Sequence, residues 1–336
     1  MNQYIGKQSI RFQKPPYLTV WASVVGKKEG EGPLGKAFDL VEEDDYFGAD
    51  TWEAAESELQ KRALEKLLQK SDIPTEQVRY LFAGDLLGQD IATTFGLMQF
   101  QIPLFGVYGA CSTAGESLSL AAMTVAAGYA PQVAALTSSH FAAAERQFRY
   151  PLEYAGQRPL SATWTVTGSG AFLVSEQPGP VKITGITTGK VVDYGVKDSM
   201  NMGAAMAPAA ADLIFQSMED FGLTPGDYDK IVTGDLGEVG QSLLLDLLRE
   251  KGLELAHIHE DCGMKIYDNK EQKTGSGGSG CGCSAVTLAA HYLQKIKDGE
   301  YKRVLFVPTG ALLSPISFNE GNSVPGIAHG VLLESA

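Results

Sequence analysis

Ile102-Pro103-Leu104-Phe105-Gly106-Val107-Tyr108-Gly109-Ala110-Cys111-Ser112-Thr113-Ala114-Gly115-Glu116 is the stretch on which the fold turns. The run from Ile102 to Val107 is apolar and short, which predicts a buried strand. The Ala- and Leu-rich continuation from Leu118 to Ala127 predicts a helix closed by Gly128. Cys111 then stands at a strand-to-helix junction, where unpaired N–H groups and the helix dipole favour a thiolate nucleophile. The same position also suits a small apolar filler, because a buried free cysteine packs as one.

Working outward, the chain repeats itself. Ala63 to Leu68, Ser71-Asp72-Ile73-Pro74 and Val78 to Leu86 read as helix, turn and buried strand ending in Gly84-Asp85-Leu86. Asp212 to Phe215, Gly222 to Pro225 and Tyr228 to Leu236 read the same way and end in Gly234-Asp235-Leu236, at an offset of 150. Gly109 to Ala114 likewise matches Gly280 to Ala285 at an offset of 171, which persists through the helix to the glycines 128 and 299. After each helix comes an apolar strand, Gln132 to Leu136 or Arg303 to Val307. Each strand leads to a small-residue turn, Thr137-Ser138-Ser139 or Pro308-Thr309-Gly310. The pattern is a duplication of α/β units with mostly parallel sheets between helices. It divides the chain into 1–178 and 179–336, meeting near Gln177-Pro178-Gly179-Pro180.

Composition narrows the partners. With 336 residues, 44% hydrophobic, the chain can bury one large core or two modest ones. A net charge of −13 leaves no footprint for nucleic acid and disfavours direct contact with an anionic membrane. Four cysteines in this length do not make a disulfide framework and fit a reducing compartment. The N-terminal residues lack a signal-peptide core, and the Leu118–Leu136 stretch is broken by Gly128 and Pro131, so neither a signal peptide nor a transmembrane span is expected.

The duplicated halves, the helix-capping Cys111 and the glycine turn Gly277 to Cys283 resemble the thiolase superfamily. Thr309-Gly310-Ala311-Leu312-Leu313 and Ile327 to Leu333 are similar to that fold's closing glycine turn and final strands. Ser138-Ser139-His140, Ala144 to Pro151, Met206 to Asp212 and Gly277 to Ala285 resemble, within it, a sporulation branch from spore-forming bacteria. The resemblance implies an α/β, five-layered αβαβα thiolase-like fold built from two duplicated halves, usually as a homodimer. It also implies a part in dipicolinic acid accumulation, peripheral to the cytoplasmic side of the spore inner membrane, alongside membrane proteins of the same operon.

Condensing members of that superfamily pair the cysteine with a histidine and an asparagine or second histidine from the second half. Here the corresponding strand end reads Gly234-Asp235-Leu236, and the glycine turn carries neither His nor Asn. Degradative members add a second cysteine near the C-terminal turn, and Thr309-Gly310-Ala311 has none. His257 and His259 read as loop or surface residues, His291 lies mid-helix and His329 precedes the last strand. The favoured expectation is a non-catalytic module without cofactor that binds dipicolinate, alone or as its calcium chelate, and supports its uptake into the developing spore. The alternative is an acyl-thioester transferase or condensing enzyme with Cys111 as nucleophile.

For the binding reading, the helix N-terminus at Cys111 supplies N–H donors to a carboxylate. Arg146 and Arg149 offer a bidentate fork or structural salt bridges. His140 is either a ligand contact or a capped turn residue. Trp164 is either a stacking surface for the pyridine ring or a core or interface aromatic. Ser138, Ser139, Gly310 and Ala311 form the walls. Cys281-Gly-Cys283 reads as a tight turn, and no metal site of the protein's own is expected.

Overall fold

Small and β-branched residues alternate with larger apolar ones along the strands, and in this computed structural model of residues 2–148 and 157–336 that alternation stacks the molecule in layers. The first half contributes strands β1 (Tyr17–Gly26), β2 (Leu81–Gly84), β3 (Leu104–Gly106), β4 (Gln132–Ser139) and β5 (Gly168–Ser175). The second contributes β6 (Val181–Thr188), β7 (Lys230–Thr233), β8 (His259–Asp261), β9 (Arg303–Val307) and β10 (Gly326–Ser335). Their orders, β3-β2-β4-β5-β1 and β8-β7-β9-β10-β6, are the same order twice. In each half the second strand of that order, β2 or β7, pairs in parallel with both neighbours, and the next two pairings are antiparallel. The sheet is therefore mixed, where alternation of helix and strand alone predicts a mostly parallel one. The halves join where β1 meets β6 through the pairs Leu18–Val181 and Tyr17–Lys182.

The principal helices are α1 (Trp52–Ser71), α2 (Thr113–Ala126), α3 (Phe141–Phe148), α4 (Met202–Phe221), α5 (Gly237–Glu250) and α6 (Cys281–Thr287). The last continues through a π-turn, Leu288–Tyr292, into Leu293–Lys297. Successive strand residues face opposite sides of a sheet, and the packing follows that rule. Val133 and Ala135 of β4 pack in one core with Leu118 of α2, Val286 of α6, and Val304 and Phe306 of β9. Ala134 and Leu136 point the other way, onto Leu59, Leu64 and Leu67 of α1. In the second half Leu305 and Val307 face Leu213 and Ile214 of α4 and Leu244 of α5. Outer helices, sheet, central α2 and α6, sheet and outer helices make the five layers.

Close packing at the centre depends on small residues. A Cβ on Gly170 of β5 would lie 2.7 Å from the Ala285 Cβ of α6, so that helix rests directly on the sheet. Both central helices end at glycines in left-handed conformation, Gly128 and Gly299, each with φ of +77°.

Two local expectations are overturned. The Ile102–Val107 run forms an edge strand, not a buried one: β3 ends the sheet order, and Leu104 and Phe105 are 40% and 53% exposed. Thr137-Ser138-Ser139 is not a turn but the end of β4, which sends these side chains to alternate faces.

Candidate functional site

The loop between β3 and α2 turns sharply at Ala110, whose φ of +51° is rare for a residue with a side chain. Side chains of the first helical turn hold it there. Thr113 Oγ1 donates to the Ala110 carbonyl at 2.6 Å and accepts the Gly109 N–H at 3.1 Å, while Ser112 Oγ donates to the Gly109 carbonyl at 2.6 Å. The second half clamps the loop from the other side. A Cβ on Gly310 would lie 2.2 Å from the Gly109 oxygen and 3.1 Å from the Cys111 nitrogen, so only glycine allows this approach.

Cys111 is 6% exposed, two residues before the first helical residue of α2. Opposite it stands Asp235, just after β7, fully buried, with Oδ2 accepting the Gly280 N–H at 2.9 Å, Oδ1 without a hydrogen-bond partner, and the carboxyl and the Cys111 thiol acting on one another's protonation. Burial pushes the Asp235 carboxyl up to about 8. Burial first, and then the adjacent Asp235, push the Cys111 thiol well above its ordinary range. The expected thiolate is thus overturned: loss of water outweighs the helix terminus, and at neutral pH the pair is a thiol beside a carboxylic acid. The neighbouring thiols are also buried, Cys281 donating to the Ser138 carbonyl at 2.9 Å and Cys283 to the Gly234 carbonyl at 3.5 Å. The cavity at Cys111, walled by Leu86, Tyr108, Phe148, Met202, Thr165 and Ala311, has a volume of about 30 Å³. That is room for roughly a water or two, and far too little for a pyridine ring with two carboxylates.

The expected site residues do not converge there. Cys111 and Ala311 line the cavity, and Gly310 backs it. Ser138 faces away, donating to Glu56 at 3.0 Å and accepting from Gln60 at 3.2 Å beneath α1, because it alternates with the inward Ser139. Ser139 itself bonds the Val166 carbonyl at 2.7 Å. His140 packs against Trp52, ring centroids 5.7 Å apart, with Nε2 2.8 Å from the Asp45 carbonyl, and burial lowers its pKa. Arg146 is exposed and reaches Glu53 at 3.5 Å. Arg149 lies outside the described residues. Trp164 stacks on Phe141 at 4.0 Å, beside a different and much larger cavity. His259, expected at the surface, is buried in β8 between Thr233 and Gln241, each 3.0 Å away. His257 is exposed, and His329 is buried within β10. Among the described residues, no three His, Cys, Asp or Glu side chains gather as a metal site, and no helix is long and apolar enough to cross a membrane.

Sequence reasoning identified Asp235 only as an absent histidine. Its signal was the repeated Gly-Asp-Leu, which places a carboxyl just after β2 and just after β7. The first-half copy, Asp85, accepts from Leu87, from Thr93 N–H and from the Thr93 hydroxyl. The second-half copy is the one turned to the cysteine.

Comparison with solved structures gives the same architecture. A 3-oxoacyl-[acyl-carrier-protein] synthase III from Aquifex aeolicus VF5 superposes with a TM-score of 0.57 at 13% identity, covering 95% of this chain and 99% of that one. Cerulenin-bound OleA from Xanthomonas campestris superposes with a TM-score of 0.60 at 11% identity, covering 96% of this chain and 97% of that one. At such identities the likeness carries the fold, which is thiolase-like. Sequence comparison carries more. The family model of stage V sporulation protein AD (SpoVAD) matches residues 6–334. The stage V sporulation protein AD of Bacillus subtilis (strain 168) is 44% identical over 331 residues, 98% of this chain and 98% of that protein. This chain therefore belongs to the stage V sporulation protein AD family, as a sporulation protein with a thiolase-like fold.

Proposed function

We propose that this protein is a non-condensing thiolase-like module that binds dipicolinate and supports its uptake into the developing spore. The observation that carries the reading is the partner of Cys111. A condensing site needs a base to take the thiol proton and donors to hold an oxyanion. Here the thiol meets a carboxylic acid kept neutral by burial, in a cavity of about 30 Å³. The family's place in sporulation supports dipicolinate as the ligand. The protein works at the cytoplasmic face of the spore inner membrane with membrane proteins of its operon, as a homodimer. The uncovered apolar edge at Leu104 and Phe105 supports that dimer.

Calorimetric titration with dipicolinate, run beside an acyl-thioester turnover assay, tests the proposal. Dipicolinate is expected to bind wild type and Cys111→Ala alike, with no turnover by either. Loss of a base or an oxyanion donor costs about 100-fold or more in rate. Robust turnover abolished by Cys111→Ala would establish the condensing alternative instead.

A further inference from the structure

An open groove of about 820 Å³ lies away from Cys111, between the segment 158–164 and the loop 268–275. Trp164 forms part of its wall. One face of that indole is filled by Phe141, with planes 12° apart at 4.0 Å. The Lys28 ammonium sits over the same ring, 4.4 Å from its centroid, and the lysine also donates to the Gln272 carbonyl at 2.8 Å. The indole is therefore engaged by an aromatic partner and a cation. Arg158 reaches the same ring at 5.4 Å and is fixed by hydrogen bonds to Glu145 and the Thr163 carbonyl.

The facing loop is stiff and presents two further cations. Lys273 has φ of +55°, and a Cβ on Gly275 would lie 2.3 Å from the Ala162 carbonyl. Thr274 Oγ1 donates to Asn269 at 2.8 Å, and Ser276 N–H to the Ala162 carbonyl at 2.9 Å. Lys270 and Lys273 are exposed on the cavity and form no ion pair with a carboxylate among the described residues. Two carboxylates share the rim. Asp268 Oδ1 is engaged by the Lys270 and Glu271 N–H groups at 3.1 and 3.0 Å, and Glu238 stands at the first turn of α5. Cations thus converge on one apolar-walled concavity in a chain whose net charge is −13.

Resting on the binding function proposed above, we infer that this groove, and not the Cys111 cavity, is the site for a small planar dicarboxylate. Lys270 and Lys273 receive one carboxylate and Arg158 draws the other, while Tyr267 and Leu160 cover the ring. Direct bonds to a carboxylate in such a setting are charge-assisted and directional.

The test is titration of the full chain with dipicolinate, isophthalate and benzoate. Wild type, the double variant Lys270→Gln/Lys273→Gln and Cys111→Ala are compared, all checked for folding by circular dichroism. Both lysines are exposed, so the double variant is expected to fold. Expected are binding of both dicarboxylates to wild type, benzoate weaker by about tenfold or more, and a loss of about tenfold or more in the double variant. Rising salt should weaken wild-type binding. Wild-type affinity in the folded double variant would withdraw the groove and leave the dipicolinate reading standing. No dipicolinate binding by wild type would defeat that reading itself, and the groove with it.

Discussion

Replacing the buried Asp235 by asparagine tests the neutral pair at Cys111, because the two states of the chain hold that proton differently. Unfolded, the carboxyl ionises near ~4; folded, it does so at about 8. As pH rises through that window the unfolded chain gives up a proton that the folded chain keeps, so the stability present below about 4 is progressively lost by 8. Glu29 and Asp90, each pushed up to about 7 by burial, act in the same direction. Urea unfolding should show wild type less stable at pH 8 than at pH 5, with a smaller difference in Asp235→Asn. An equal or larger difference in the variant would mean Asp235 is ionised in the fold. A second prediction concerns reactivity. Cys111 should be alkylated by iodoacetamide more slowly than free cysteine at pH 7, and faster labelling would restore the thiolate. Cys111 itself was legible from its strand–helix context. Its protonation was not, since that depends on Asp235, 124 positions further along the chain, and on the exclusion of water.

At the level of elements, the duplicated pattern correctly located helix α2, strand β9 and the paired helix stops at Gly128 and Gly299. These are governed by local periodicity and by the conformational freedom of glycine. Strand β3 was misread because an apolar run looks alike whether it lies at the centre of a sheet or at its margin; only the neighbours decide. The serine wall failed for a related reason: one extra residue of strand turns a side chain to the opposite face, which moved Ser138 to α1. The contact between β5 and α6 invites a packing test. Gly170→Val would drive a branched side chain into Ala285, whose Cβ, carbonyl carbon and oxygen lie 2.7–2.9 Å from the added Cβ alone. Overpacking of this kind costs about 1–3 kcal/mol or more, measurable as a lower urea midpoint. An unchanged midpoint would mean that the central layer is looser than these distances imply.

For the whole molecule, the repeated strand order accounts for how much could be read from one sequence: two copies of a pattern identify each other. The large groove was not legible, because it joins residues 158–164 to 268–275 across the halves and its cations are scattered through the sequence. The exposed edge supplies a test at this scale. Phe105 stacks on Phe82 at 5.1 Å yet remains half exposed, and Phe95 and Met98 just before it are 59% and 61% exposed. An apolar, unpaired strand edge invites a second strand. Sedimentation should find wild type dimeric and Phe105→Lys monomeric, whereas a variant dimerising as tightly as wild type would place the interface elsewhere. Strand β10 carries one more consequence. It lies between β9 and β6 inside the second-half sheet, although it is made after both of them. During synthesis, both flanking strands wait with open edges until residue 335 has left the ribosome. Chains stalled before Gly326 therefore keep both edges open and should depend on chaperones more than a chain that includes β10 does.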